Sequence, residues 1–208
     1  VSGGNLAFVL AITWQSLLFL GLKKSRAFLL TGMGLFTYAL LVGFEPPVLR
    51  ALIMALIMLI GAVFERPYYA LRALCITAFV MIFFNPLLVK SASFQLSFAA
   101  TAGIAFFSTP LTKFFYGKMK WKGYFIEAGV TTFSAQAGVL PILLYQFGSF
   151  SPAVFLSNIL VSWTPPVFMA VGLVSGLLGF VSLPLAKMVG WVGYLVGEYF
   201  LGVVTIFS

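Results

Sequence analysis

The sequence predicts an all-α fold: a polytopic bundle of membrane-spanning helices, about 7–9 segments by length and composition, with one helix interrupted by proline. Three observations carry this reading. The chain is 62% hydrophobic with 8% charged residues, its mean hydropathy is +1.13, and apolar runs of spanning length recur along its 208 residues. A soluble domain of this size cannot cover itself with so little charged surface.

A spanning helix needs about 20 mostly apolar residues. The runs at 5–22, 27–44, 48–64, 71–89, 94–111, 128–147 and 188–207 meet that need. Between the last two lies 153–181, interrupted by Thr164-Pro165-Pro166. Proline cannot continue a regular helix, so this segment is either one kinked span or two half-helices. Asn85-Pro86 closes the fourth run, because proline lacks an N–H and pushes its neighbour out of the α region. Lys90, Ser91 and Ser93 follow where water is expected. Gln95 and Ser97 are then carried into the next apolar run, where lipid offers no hydrogen-bond partner; they must face protein or an aqueous path.

Charge sorts the connections by side. Lys23, Lys24, Arg26, Arg66, Arg72, Lys113, Lys118, Lys120, Lys122 and Lys187 fall in the odd connections, leaving Arg50 and Lys90 in the even ones. The positive-inside rule makes the odd connections cytoplasmic, with residue 1 and the Asn85–Ser93 break on the outer side. A second segment within 153–181 would move Lys187 outward. The net charge of +8 follows from such basic loops without invoking nucleic acid. The 113–125 stretch interleaves lysines with aromatics, which suits an interfacial anchor and also suits stacking on a single strand.

Several chemistries are excluded. Histidine is absent and the acids are Glu45, Glu65, Glu127 and Glu198. A zinc site of the usual ligands and a Ser-His-Asp triad are therefore ruled out of expectation, and no phosphate-binding P-loop occurs. No metal, no cofactor and no enzymatic activity are expected. The single cysteine, Cys75, reads as a small buried hydrophobe and permits no intrachain disulfide. Residues 1–208 read as one membrane-embedded domain excised from a longer protein.

The candidate site residues are the polar groups inside or beside these runs. Ser93, Ser97 and Thr101 are spaced four apart and share one helix face, with Ser108 nearly in line. Ala128, Thr131, Ala135 and Gly138 form a small-residue face with Gln136 beside it, and Gly190, Gly193 and Gly197 form another. Small faces in membranes ordinarily mean close helix packing. For Gln95, Gln136 and Asn158, interhelical hydrogen bonding and a polar path stay open alike. Arg50 either snorkels outward or points into a vestibule. Glu198 lies in the last apolar run with no partner that the sequence names; Lys187 is about 16 Å away along a helix.

Taken in order, these segments resemble the competence domain of ComEC-type DNA-uptake proteins. The matching pieces are Val1-Ser2-Gly3-Gly4-Asn5, Pro46 to Met54, Leu71-Arg72-Ala73-Leu74, Asn85-Pro86 through Phe94-Gln95-Leu96-Ser97-Phe98, Ser134-Ala135-Gln136 with Pro141 and Phe147, and Asn158 ahead of Pro165. The resemblance covers nearly the whole chain. Two departures stand out: the opening motif commonly ends in histidine where Asn5 stands here, and the OB-like and metallo-β-lactamase-like domains of many members are absent from these residues.

The resemblance implies passage of single-stranded DNA across the bacterial inner membrane during natural transformation. It marks Ser2, Asn5, Arg50, Asn85, Ser93, Gln95, Ser97, Thr101, Gln136 and Asn158 as lining or motif residues. Membrane lipids and single-stranded DNA are the expected partners, with a cytoplasmic helicase or strand-binding protein as a source of drive. The path is free to run within one chain or between copies in a homo-oligomer. Rival readings are a small-molecule permease, an intramembrane enzyme and a purely structural subunit.

Overall fold

The computed structural model describes residues 3–118, 124–148, 157 and 160–207. These residues form eight α-helices and no strand. In chain order the helices are α1 (Gly3–Phe19), α2 (Lys24–Val42), α3 (Pro46–Val63), α4 (Ala70–Phe84), α5 (Ala92–Lys118), α6 (Tyr124–Phe147), α7 (Thr164–Gly179) and α8 (Leu183–Phe207). A 3₁₀ turn, Pro86–Lys90, separates α4 from α5. Five helices are long and apolar enough to cross a membrane, while α1, α4 and α7 are shorter apolar helices. The chain is an all-α membrane protein, as its composition requires.

Large apolar side chains lie on the outside. Phe19, Phe79, Phe83 and Phe84 are each more than 70% exposed. Such a surface suits hydrocarbon and not water, so the apolar faces sort by packing instead of by contrast with polar faces.

By contacts, the helices divide into two compact units: Val1–Leu111 with Ser134–Gly148, and Thr112–Phe133 with Ser149–Ser208. In the first, α1, α2 and α3 build a three-helix core. Leu6 and Leu10 of α1 meet Leu35 and Ala39 of α2 and Val48, Leu52, Ala55 and Leu59 of α3. The buried residues of α2 recur every fourth position as Ala27, Thr31, Leu35 and Ala39, the spacing that keeps them on one stripe. Turns with positive φ at Gly21 and Gly43 close α1 and α2, a conformation that costs glycine nothing. Pro46 and Pro47 open α3 at its first positions, where a missing N–H is harmless.

Helix α3 ends in a Schellman-type turn, with the Arg66 N–H donating to the Gly61 carbonyl at 2.8 Å. The left-handed position is filled by Glu65, at φ 55°, where glycine is usual. An ion pair holds Glu65: its carboxylate accepts from Lys24 Nζ at 2.7 Å. That contact brings the α1–α2 and α3–α4 connections to the same end of the bundle, in agreement with the charge count.

Helices α5 and α6 cross backbone on backbone. Gly103 faces Gly138, and a Cβ on either would fall 2.9 Å from the Cα of the other. Added carbons would also collide with the carbonyl oxygens of Ser134 and Ala99. The pairs Ala99/Gly103 and Ser134/Gly138 are thus two small-xxx-small stripes in register. Of the small face expected on α6, Gly138 packs while Thr131 is exposed; the stripe that meets α5 runs through Ser134 and Gly138.

In the second unit, α7 and α8 form a hairpin. Gly193 admits Val171 and Gly197 admits Phe168, so this glycine face is a packing face; Gly190 meets nothing within 4 Å. The Thr164-Pro165-Pro166 sequence does not kink a helix. It begins one, with the prolines in the first turn of α7. The rest of the 153–163 stretch, apart from residues 157 and 160–163, lies outside the described residues.

The crossing of α5 and α6 makes a direct prediction. Gly103→Ala and Gly138→Ala each cost about 1–3 kcal/mol through overpacking against backbone that cannot yield. The same change at Gly34, with nothing within 4 Å, is neutral or mildly stabilising. Melting of the detergent-solubilised protein, followed by its monodisperse fraction, checks all three.

Candidate functional site

The segment between α4 and α5 is built from a few local bonds. Asn85 ends α4 in an extended conformation, φ −147° and ψ 92°, as a residue before proline should. Its side-chain oxygen accepts from the Leu87 N–H at 3.2 Å, which caps the 3₁₀ turn. The turn then closes onto α5: Gln95 Nε2 donates to the Val89 carbonyl at 2.7 Å. The other end of the same amide is also engaged, since Gln95 Oε1 accepts from Gln146 Nε2 of α6 at 2.6 Å. Gln95 is therefore a clamp joining the break, α5 and α6. Phe94 and Phe98 pack ring to ring beside it, with centroids 4.3 Å apart.

Gln146 was not among the residues the sequence singled out. It lies 51 positions from Gln95, and nothing local in either segment announces the pair. Asn85 and Lys90 are exposed, as is Ser93. Ser97 and Thr101 are half-buried; Thr101 donates to the Ser97 carbonyl at 3.0 Å, while Ser97 Oγ is buried without a partner. Ser134 Oγ and Thr31 Oγ1 share that condition. Gln136 is half-buried on α6. Ser2 and Asn158 lie outside the described residues.

Arg50 is the charged member of the set. It sits in the first turns of α3, half-buried, and its Nε is buried without a hydrogen-bond partner. Its guanidinium lies beside Gly3 of α1, where an added Cβ would come within 3.1 Å of Nη2. Asn5, two residues further along α1, is half-buried. Among the described residues no carboxylate pairs with Arg50. Its electrostatic neighbour is Tyr68, from the α3–α4 connection: burial pushes the Tyr68 phenol up from its ordinary value, and the Arg50 charge partly opposes that. The phenol thus stays protonated and able to donate throughout the physiological range. The sequence alone could not bring Tyr68 to Arg50, because a chain reversal separates them.

Glu198 finds its partner one helical turn away. Tyr194, one turn earlier on α8, lies within electrostatic reach of its carboxylate, as the i, i+4 spacing allows. Trp163 and Tyr199 pack with tilted rings, centroids 5.2 Å apart, and the Tyr199 hydroxyl donates to the Leu160 carbonyl at 3.1 Å, tying α8 to the residues before α7. No group of three or more metal-ligating side chains occurs among the described residues.

Fold and site together define a polytopic helical membrane protein with a self-clamped helix break and an unpaired half-buried arginine. The chain belongs to the competence protein family, whose model, described as Competence protein, matches residues 1–208. It is 32% identical over 151 residues to ComE operon protein 3 of Bacillus subtilis (strain 168), an alignment covering 73% of this chain and 19% of that protein. The matched region is thus about a fifth of the relative's length. No solved structure matches the chain.

Two predictions follow from these contacts. The Gln95–Gln146 bond contributes about 1 kcal/mol, so a thermal-stability double-mutant cycle with Gln95→Leu and Gln146→Leu should show non-additive losses; strict additivity would mean the two amides act separately. At the other end of the bundle, the hydrogen bond from Lys24, and then its charge, hold the Glu65 carboxyl below its ordinary value of 4.5. A lowered folded-state value means the pair's support is complete above 4.5 and fades as pH falls through the lowered value. Both groups are exposed, so water keeps that support small. Carboxyl NMR should place the Glu65 midpoint below 4.5, and Lys24→Gln should return it toward that value.

Proposed function

We propose that this chain is the membrane-embedded part of a DNA-uptake protein and passes one DNA strand across the bacterial cytoplasmic membrane during transformation. The observation that carries the reading is Arg50, a half-buried cation with an unpartnered Nε and no carboxylate against it among the described residues. A cation held that way in an apolar bundle is suited to an anion that visits and leaves. Membership of the competence protein family makes a DNA phosphate the fitting anion.

The chemistry of passage favours few charges. A strand carries one negative charge per nucleotide, and a low-dielectric path must replace its water. Many fixed cations would trap it, whereas weak repeated donors let it move. Ser97, Thr101 and Gln136 are neutral groups of that kind. Gln95 serves differently: with both amide ends engaged, it positions the break instead of touching the strand. Arg50 and Lys90 attract the strand from the outer side, and the cytoplasmic lysines and arginines favour its exit. The role is transport without covalent chemistry. The drive comes from a cytoplasmic helicase, a strand-binding protein or the membrane potential.

Labelled DNA supplied to cells carrying the full-length protein tests this. Arg50→Ala should leave surface-bound DNA intact and reduce cytoplasmic entry about tenfold to hundredfold, the effect of losing one charge-assisted hydrogen bond. Arg50→Lys should restore part of the entry. Normal entry in a clean deletion would reject the role. Orientation is tested separately: in a Cys75→Ala background, needed because Cys75 is free and exposed and not buried as expected, cysteines at Lys90 and Lys118 should label from opposite sides.

A further inference from the structure

The α3–α4 connection frames a cavity that the transport reading does not use. Its volume is about 610 Å³. Ile57, Ile60, Phe64 and Ile76 line its apolar part, and Arg66 and Arg72 stand among its lining residues with Tyr68 and Tyr69. The isoleucines lie deeper along α3 and α4 than the arginines, while Phe64 stands at the rim beside them. Ile57 lies six residues before the end of α3, about 9 Å deeper along the span. The arginines come from the connection and from the first turn of α4.

The cationic wall is not neutralised from within. Among the described residues the ion pair found is Lys24–Glu65, and neither arginine takes part in it. The nearest acid in sequence, Glu65, is committed to Lys24 at 2.7 Å. Arg72 lies over the Tyr69 ring, 4.4 Å from its centroid, which orients the guanidinium by a cation–π contact and leaves its N–H donors at the ring's edge. The first turn of α4 carries no acidic residue and no side-chain cap, so the helix end adds its own partial positive charge. Tyr68 supplies a protonated phenol. An amphipathic ligand, anionic at one end and hydrocarbon at the other, matches such a wall. A nucleic acid would leave the aliphatic floor unfilled.

We propose that this cavity is a binding site for an anionic phospholipid, with its phosphate on Arg66 and Arg72 and one acyl chain running along Ile57, Ile60 and Ile76. The lipid adds to what holds the α3–α4 connection, whose left-handed turn at Glu65 rests on the Arg66–Gly61 backbone hydrogen bond and one exposed ion pair. The site stands independently of whether a DNA strand passes through the bundle.

Native mass spectrometry of the full-length protein, titrated with phosphatidylglycerol and separately with phosphatidylcholine, tests the proposal. One phosphatidylglycerol should be retained in preference to phosphatidylcholine. A basic residue near a membrane surface contributes roughly fivefold, so Arg66→Gln/Arg72→Gln should lose that binding by about twenty-fivefold, and either single variant by about fivefold. Lys23→Gln/Arg26→Gln removes equal charge from the same end of the bundle and should leave it unchanged. Ile60→Trp, which fills the cavity without altering charge, should weaken it too. Equal losses from both charge pairs would reduce the attraction to a diffuse field and overturn the site. Displacement of the lipid by inorganic phosphate or by a single-stranded oligonucleotide would assign the arginines to a free anion or to nucleic acid, and would overturn it as well.

Discussion

Hydrocarbon offers no hydrogen bonds, and that constraint governs every polar group in this bundle. The break between α4 and α5 shows how it is met. Proline ends a helix and frees backbone groups; Asn85 then caps the turn that follows, and Gln95 reaches back to the Val89 carbonyl. The spare oxygen of Gln95 is taken by Gln146. One side chain thereby joins three elements, and the break becomes a fixed feature with its exposed polar rim at one end of α5. The Gly103–Gly138 crossing holds the same two helices further along, where close backbone approach replaces hydrogen bonding as the source of attraction.

Four side chains among the described residues keep a buried polar atom without a partner, Thr31, Ser97, Ser134 and Arg50, and of these Arg50 alone is charged. It is half-buried, has no acid paired with it among the described residues, and lies beside Gly3, where a larger residue would crowd its guanidinium. Leaving a buried cation without its counterion is costly. In the proposed function that expense is met by the strand, whose phosphates serve as a passing counterion. The arginines of the α3–α4 connection, Arg66 and Arg72, stand apart from Arg50 in the role proposed for them: their anion is a lipid phosphate, not a strand in transit.

Much of this was legible in the sequence, for reasons that can be named. The all-α membrane fold follows from composition, since few charges and long apolar runs admit little else. The Asn85-Pro86 break follows from proline chemistry, and the end of α4 falls at Phe84, earlier than the run of apolar residues that continues to Val89. Glycines at 193 and 197 pack as their spacing implies. Thr164-Pro165-Pro166 was harder: proline can lie inside a membrane helix, as Pro110 and Pro141 do in α5 and α6, or open one in its first turn, and only the path of the chain tells which applies. The Gln95–Gln146 bond, the approach of Tyr68 to Arg50 and the pairing of Gly103 with Gly138 were illegible because each joins segments that a single sequence leaves unrelated. The Tyr194–Glu198 contact was within reach, being one helical turn apart.

The central claim is that the strand passes the Arg50 face of α3. Site-specific photo-crosslinking measures it directly, with a photoreactive residue placed in the full-length protein at Met54, one turn beyond Arg50, and at Phe79, a side chain 71% exposed on the outside of the bundle. Trapping a labelled strand during uptake should give DNA adducts at Met54 and none at Phe79. Adducts at Phe79 with none at Met54 would contradict the account.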